Sequence, residues 1–435
     1  MIQKLIDRLD RGTCNFTAAR VIIEDLENAG FKRLLPSEEW KLCKGGRYYV
    51  VKNDTAVFAF VIGSDVPSAS GYHIISAHSD SPGFKIKPNA EIYGDGGVVS
   101  LNVEKYGGGI LYTWFDRPLS IAGRVLVKGA DPLHPVTHIV DVKRPVATIP
   151  HLSIHLNRGV NDGNPLSVQK DMKPVVGYWD KEAYEEIKAK GGIVKCIVAE
   201  TIGISPEDIL DYELNLYPTE KASLTGVNSE YLQSGRIDDL EMAFGALQAL
   251  LDSLDTETKS TRVLAVFDNE ETGSGTKQGA HSPVLRNILE RICISVEPES
   301  REAFFRSLAN SFMISADDAH AWHPNYNEKF DPTNHPVIGG GPAIKINANC
   351  KYMTDGDAAA VFAEICRKAG VKCQYFVNHS DVAGGSTLGN ILTGQMDIRG
   401  MDMGNPVWAM HSAIETCGVA DHEAAVGAFT TFYRL

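Results

Sequence analysis

Residues 263–275 read VLAVFDNEETGSG. Five uninterrupted apolar residues suit a strand buried on both faces, as in a parallel sheet covered by helices. The run stops at Asp268, Asn269, Glu270 and Glu271, and Gly273 and Gly275 follow in a turn. Adjacent acids are usually a solvated turn, but these follow a strand that reads as buried. The same grammar recurs. HIISA (73–77) runs into His78, Ser79 and Asp80, FMISA (312–316) into Asp317 and Asp318, and WAM (408–410) into His411.

Further apolar runs, Ala56 to Ile62 and Tyr375 to Val377, extend the strand set. Leu240, Phe244, Leu247, Leu251 and Leu254 recur at helical spacing behind the acidic start Asp238–Asp239. Another helix is expected over Ala18–Ala29, capped by Thr17 and ended by Gly30, and a third from Asp421 to the end. Residues 91–226 have a different texture: short β-rich runs broken by Gly and Pro, one helical piece over Lys181–Lys190, and a polar, turn-rich stretch over 155–174. The chain of 435 residues suits about two or three domains. The expected fold is one α/β domain built from residues 1–90 and 227–435, interrupted by a β-rich domain over 91–226.

With 42 Lys and Arg against 55 Asp and Glu, the formal charge is −13, which disfavours nucleic acid and anionic membrane surfaces as partners. The charged N-terminus lacks a signal peptide's apolar core, no apolar run approaches membrane-spanning length, and the eight cysteines form no CxxC pair. A cytoplasmic protein with free thiols is expected. No G-x-S-x-G elbow and no phosphate-binding G-x-x-x-x-G-K-[ST] occurs. HEAAV (422–426) lacks the second histidine of a zinc helix and reads as surface charge on the last helix. The triplets Gly107–Gly109 and Gly339–Gly341 read as turns or close backbone contacts.

If the acid-tipped strands share a sheet, their polar ends meet at one edge, outside the strands' carboxyl ends. Several carboxylates and two histidines there need a counter-charge. Histidine nitrogen with carboxylate oxygen, and no thiolate, suits a catalytic divalent site, and two cations balance this many ligands better than one.

Ordered along the chain, SAHSDSPGFKIKP (76–88), VEKYGGGILYTWFDRPLSIAGRVLVK (103–128), SIHLNRGVN (153–161), GRIDDL (235–240), FDNEETGSGT (267–276), SADDAHAWHPNY (315–326), SDVAGGSTLG (380–389) and AMHS (409–412) resemble the M18 metallo-aminopeptidases, which include aspartyl aminopeptidases. The resemblance implies an α/β, mixed-sheet di-metal exopeptidase catalytic domain, an inserted β domain used in assembly, and two metal ions, zinc in most members; the ligand types themselves also admit cobalt or manganese. It implies His78 and Asp317 as ligands of one metal, Glu271 and His411 of the other, Asp238 as the bridge and Glu270 as the general base. Asp80 matches the aspartate that orients His78. His155 matches a histidine that reaches a neighbouring subunit's site, and His323 a position near the substrate. Peptides with a free N-terminus and a homo-oligomer, a dodecamer of dimers, follow as expected partners.

Two departures bear on specificity. Members selective for acidic residues carry N-D-T-P-C-G where this chain has Ser380 to Gly385 (SDVAGG), and Asp318 stands where many have an uncharged residue. The preferred N-terminal side chain is therefore left open. A dinuclear deacylase or amidohydrolase acting on N-acylated substrates, and a non-catalytic oligomeric peptide-binding scaffold, are the alternatives.

Overall fold

A computed structural model describes residues 1–298, 300 and 302–435. Its centre is a nine-stranded mixed sheet. Strand Thr261–Phe267 runs parallel to Tyr72–His78, which runs parallel to Phe312–Ala316, which in turn runs parallel to Arg399–Gly404. The first three of these are buried throughout, apart from a half-buried His73, which explains why they read as solid apolar runs rather than alternating ones.

Helices cover both faces. Asn15–Asn28, Ile237–Asp252, Gly356–Ala369 and Val419–Tyr433 bury Ile22, Phe244, Phe362 and Phe429 in the core on one side. Val284–Val296, Ala303–Ala309 and Leu388–Thr393 bury Leu289, Phe304 and Leu392 on the other. The result is a three-layer α/β/α sandwich.

A second sheet of six antiparallel strands is formed by Val136–Asp141, Leu119–Val127, Ile209–Pro218, Gly83–Tyr93, Val98–Tyr106 and Val175–Tyr178, in that spatial order. It has its own core around Phe84, Leu101, Trp114, Ile121 and Leu216, to which the helix Ile193–Ile202 adds Val194 and Val198. The strand Gly83–Tyr93 crosses residue 90, where the change of texture was drawn from sequence. A third, five-stranded sheet joins Ser223–Thr225, Tyr231–Ser234, Glu415–Gly418, Pro406–Trp408 and Ala319–His320.

Three local readings are corrected. The second helix starts at Asn15 with Cys14 as its cap residue: Cys14 is extended, and its N–H donates to Thr17 Oγ1 at 2.8 Å, so Thr17 sits inside the first turn. His422 of HEAAV is buried, not surface charge, because the Glu241 carboxylate faces its Nδ1. The short run before His411 is a strand of the third sheet, Pro406–Trp408, and not of the central one. Among the described residues all eight cysteines are free, and no helix is long and apolar enough to cross a membrane.

Candidate metal centre

His78 is the last residue of its strand, Asp317 immediately follows another, and Glu270 and Glu271 lie just past a third. Because these three strands are parallel neighbours, their carboxyl ends deliver all four side chains to one place. Asp238 arrives from the start of the helix Ile237–Asp252, where Asp238 and Asp239 have non-helical backbone and are joined by a cis peptide. His411 comes from the loop after Pro406–Trp408. Its own backbone is left-handed (φ 68°), as are those of Asn269 (φ 64°), ahead of Glu270, and Arg236 (φ 62°), two residues before Asp238. Left-handed non-glycine residues each cost on the order of 1 kcal/mol, and their grouping around one cluster fits a functional site.

The geometry divides the cluster in two. Ligand atoms of His78, Asp238, Asp239 and Asp317 lie within 4.8 Å of one another, and so do those of Asp238, Glu271 and His411. Asp238 belongs to both groups: its Oδ1 lies 3.5 Å from His78 Nε2 and its Oδ2 3.2 Å from His411 Nε2. His411 Nε2 is also 3.2 Å from Glu271 Oε1. A third group, His78 with Glu270 and Glu271, links the two.

These residues fit cations. His78 Nδ1 lies 3.0 Å from the backbone carbonyl of Asp80, which can only accept, so Nδ1 carries the hydrogen and Nε2 presents a lone pair. That lone pair faces Asp238 Oδ1, itself buried without a hydrogen-bond donor, as is Glu271 Oε1. Acceptors facing acceptors need positive charge between them. In the metal-free chain protons supply it. Burial opposes a charge on His411, but Asp238 and Glu271 raise it to about 11. Burial, aided by Asp238, raises Glu271 to about 7. Burial, with Asp317 and Glu271 outweighing the relief from His78, raises Glu270 to about 9. The side chains of Glu270 and His411 keep 15% and 30% of their surface exposed, so the cluster opens to solvent on their side.

Asp80 binds the cluster together: its Oδ1 accepts the N–H of Glu270 at 3.1 Å and its Oδ2 that of Glu271 at 3.2 Å. Glu415, not singled out from sequence, accepts the N–H of Asp238 at 3.0 Å and that of His411 at 2.6 Å. Asp239 accepts the N–H of His78 at 2.9 Å. Lys345 Nζ stands 3.3 Å from Asp317 Oδ1 and is buried. A lone lysine inside the apolar run AIKI was the available signal for it. The glycine triplets are close contacts, as read. A Cβ on Gly107 would meet Glu271 Cβ at 3.2 Å, and the N–H groups of Gly339 and Gly341 donate to Asp421. No hydrogen bond or ion pair joins His155 or His323 to the cluster. His155 is exposed on its loop, and His323 accepts from the N–H of Asn325 and packs on Tyr326.

A family model described as "Aminopeptidase I zinc metalloprotease (M18)" matches residues 9–433. The chain belongs to the M18 family. Among M18 relatives, the "Probable M18 family aminopeptidase 2" of Clostridium acetobutylicum is 46% identical over 437 residues, covering 100% of this chain and 98% of that protein. A chain of the cryo-EM complex of Ape4 and Nbr1 superposes with a TM-score of 0.94 at 36% identity, over 99% of this chain and 85% of that one. The mApe1 dodecamer of S. cerevisiae gives 0.86 at 27% identity, over 99% and 96%. The M18 chain described here is thus a zinc-type metallo-aminopeptidase, and neither the deacylase nor the scaffold alternative is favoured.

Proposed function

We propose that His78, Asp238 and Asp317 hold one divalent cation, that Glu271 and His411 hold a second, and that Asp238 is shared. The observation that carries this reading is the division of one carboxylate between two histidines, with Oδ1 toward His78 and Oδ2 toward His411. Divalent cations held by these residues would supply a water of near-neutral pKa and polarisation of the scissile carbonyl. Glu270 takes the proton of the attacking water and passes it to the leaving amine. Its buried place beside Glu271, with a side chain still reachable from solvent, suits a group that must hold and release a proton. Asp80 keeps Nε2 of His78 directed at the cation and fixes the backbone of Glu270 and Glu271.

The substrate is a peptide with a free α-amine, which the carboxylate-rich pocket attracts. His155 lies on an exposed loop flanked by the exposed Leu152, Ile154 and Leu156 and acts in a neighbouring copy's site, within a homo-oligomer such as the dodecamer of the yeast relative. His323 lines the approach. The six-stranded sheet, whose strands lie between Gly83 and Pro218, is an inserted assembly domain, and the free thiols suit the cytoplasm.

The test compares an aminoacyl-anilide with its N-acetylated form on zinc-loaded protein. The free amine should be hydrolysed and the blocked one spared. Hydrolysis of the acetylated form at an equal rate would move the protein to the deacylases. Bound zinc should be two per chain in the parent and fewer in Asp238→Ala.

A further inference from the structure

Tyr106 ends the strand Val98–Tyr106, so it belongs to the six-stranded sheet and not to the layer that carries the ligands. Its hydroxyl nonetheless donates to Asp80 Oδ2 at 2.7 Å. The phenol oxygen itself accepts a hydrogen from the side-chain amide Nδ2 of Asn269 at 2.8 Å. Asn269 is held in turn through its carbonyl, which accepts from Thr276 Oγ1 and Gln278 Nε2, both at 2.8 Å. The phenol therefore bridges the residue ahead of Glu270 and the carboxylate that accepts the N–H groups of Glu270 and Glu271. A hydroxyl has one hydrogen, and Asp80 receives it, so the chain of donors runs one way: Gln278 and Thr276 to Asn269, Asn269 to Tyr106, Tyr106 to Asp80.

The segment after Tyr106 stays against the ligands. A Cβ on Gly107 would lie 3.2 Å from Glu271 Cβ, and one on Gly108 would lie 3.4 Å from His411 Nδ1. The N–H of Ile110 donates to the carbonyl of His411 at 2.9 Å. Side chains at 107 and 108 would press on both ligands.

We infer that Tyr106 is a positioning residue for the metal centre: from the inserted sheet, it fixes the Asp80 carboxylate, whose Oδ1 lies 3.4 Å from His78 Nδ1 and which accepts the N–H groups of Glu270 and Glu271, and so helps to hold His78 and the Glu270–Glu271 turn in place. The six-stranded sheet is in this sense a working wall of the site as well as an assembly surface. Burial, and then the nearby carboxylates of Asp80 and Asp268, hold the phenol far above its ordinary pKa, so it remains a donor at every working pH. The inference rests on the proposed ligand set.

The experiment strips metal from the full-length parent and from Tyr106→Phe, then titrates zinc against a chromophoric chelator. Removing the hydroxyl should weaken zinc binding about tenfold or more, the scale on which partners of metal ligands act, and should change the visible absorption of the cobalt-loaded protein. In an Asp80→Asn background the same change should add less than twofold, because the phenol acts through Asp80. A dissociation constant within twofold of the parent, or an undiminished effect beside Asp80→Asn, overturns the inference. A role in packing alone would lower the thermal midpoint of the metal-free protein and leave zinc affinity unmoved. If Tyr106→Phe does not fold, Asn269→Gly is read by the same criteria, since it keeps the left-handed backbone and removes the amide that anchors the phenol. A parent that binds no zinc pair would defeat the ligand set itself, so the two failures are distinguishable.

Discussion

At the carboxyl edge of the nine-stranded sheet, oxygens of Asp238, Asp239, Glu271 and Asp318 are buried with no hydrogen-bond donor. On the six-stranded sheet and its loops the unmet groups are mostly apolar: Leu133 is 85% exposed, Tyr178 81% and Leu156 75%, with Leu152 and Ile154 beside the last. Buried acceptors without donors call for positive charge, because leaving them unpaired costs on the order of 1–3 kcal/mol each. Exposed apolar side chains grouped on one loop call for protein surface. A defect in chemistry and a defect in assembly should therefore be separable by mutation, except along Tyr106–Ile110, which lies against Glu271 and His411.

The strongest attempt to break that comparison is Glu270→Gln. The turnover number should fall by roughly 10²- to 10⁴-fold, while the zinc content measured by mass spectrometry stays at the parent value. A rate within tenfold of the parent would take Glu270 out of the reaction. Chelation comes next. The metal-free protein should be inactive and should melt at lower temperature, since a ligand held at a thousandfold above its dissociation constant stabilises by about 4 kcal/mol. Restored zinc should return both properties, and an unchanged melting temperature would mean that the buried acceptors are satisfied without cations.

A smaller effect separates orphaned polar groups that await a cation from those that do not. His73 also lies in the central sheet with Nδ1 buried and unpartnered, stacked on Phe432 and away from the ligand cluster. Burial lowers it to about 4. A histidine so lowered contributes stability that is present above the unfolded value near 6.5 and is lost as pH falls toward 4, amounting to roughly 3 kcal/mol at most. His73→Phe should flatten the fall in stability between those pH values, measured by denaturant midpoints, with zinc content unchanged. A parallel fall in both proteins would refute this. The mildest test is Ile154→Asp, which should shift sedimentation toward smaller species and lower turnover by about tenfold or less, through His155, with zinc binding intact. Unchanged sedimentation would free this loop from assembly.

The parts of the site carried by strand ends were readable because one burial rule governs both the apolar run and the polar residue that ends it. VLAVF before Glu270–Glu271, HIISA before His78 and FMISA before Asp317 are cases of it. His411 was readable as a residue but not in its placement. A three-residue strand has too little pattern to say which sheet it joins, and Pro406–Trp408, which takes only Trp408 from WAM, joins the third. Cysteine is a weak cap by composition, so composition points to Thr17, three residues on, rather than to Cys14. Tyr106, Glu415 and Lys345 act through contacts across long sequence separations, 163 residues between Asn269 and Tyr106 and 177 between Asp238 and Glu415. No local periodicity encodes such pairs. His155 and His323 came only from the family likeness, and the fold of a single chain leaves both apart from the cluster.

The carboxylate of Glu415 grips the backbone at both Asp238 and His411. A chain cut off after residue 400 would carry His78, Asp238, Glu271 and Asp317 but neither His411 nor the Glu415 carboxylate that seats the Asp238 backbone. Under the proposed ligand set, such a shortened polypeptide should keep one cation and lose the other.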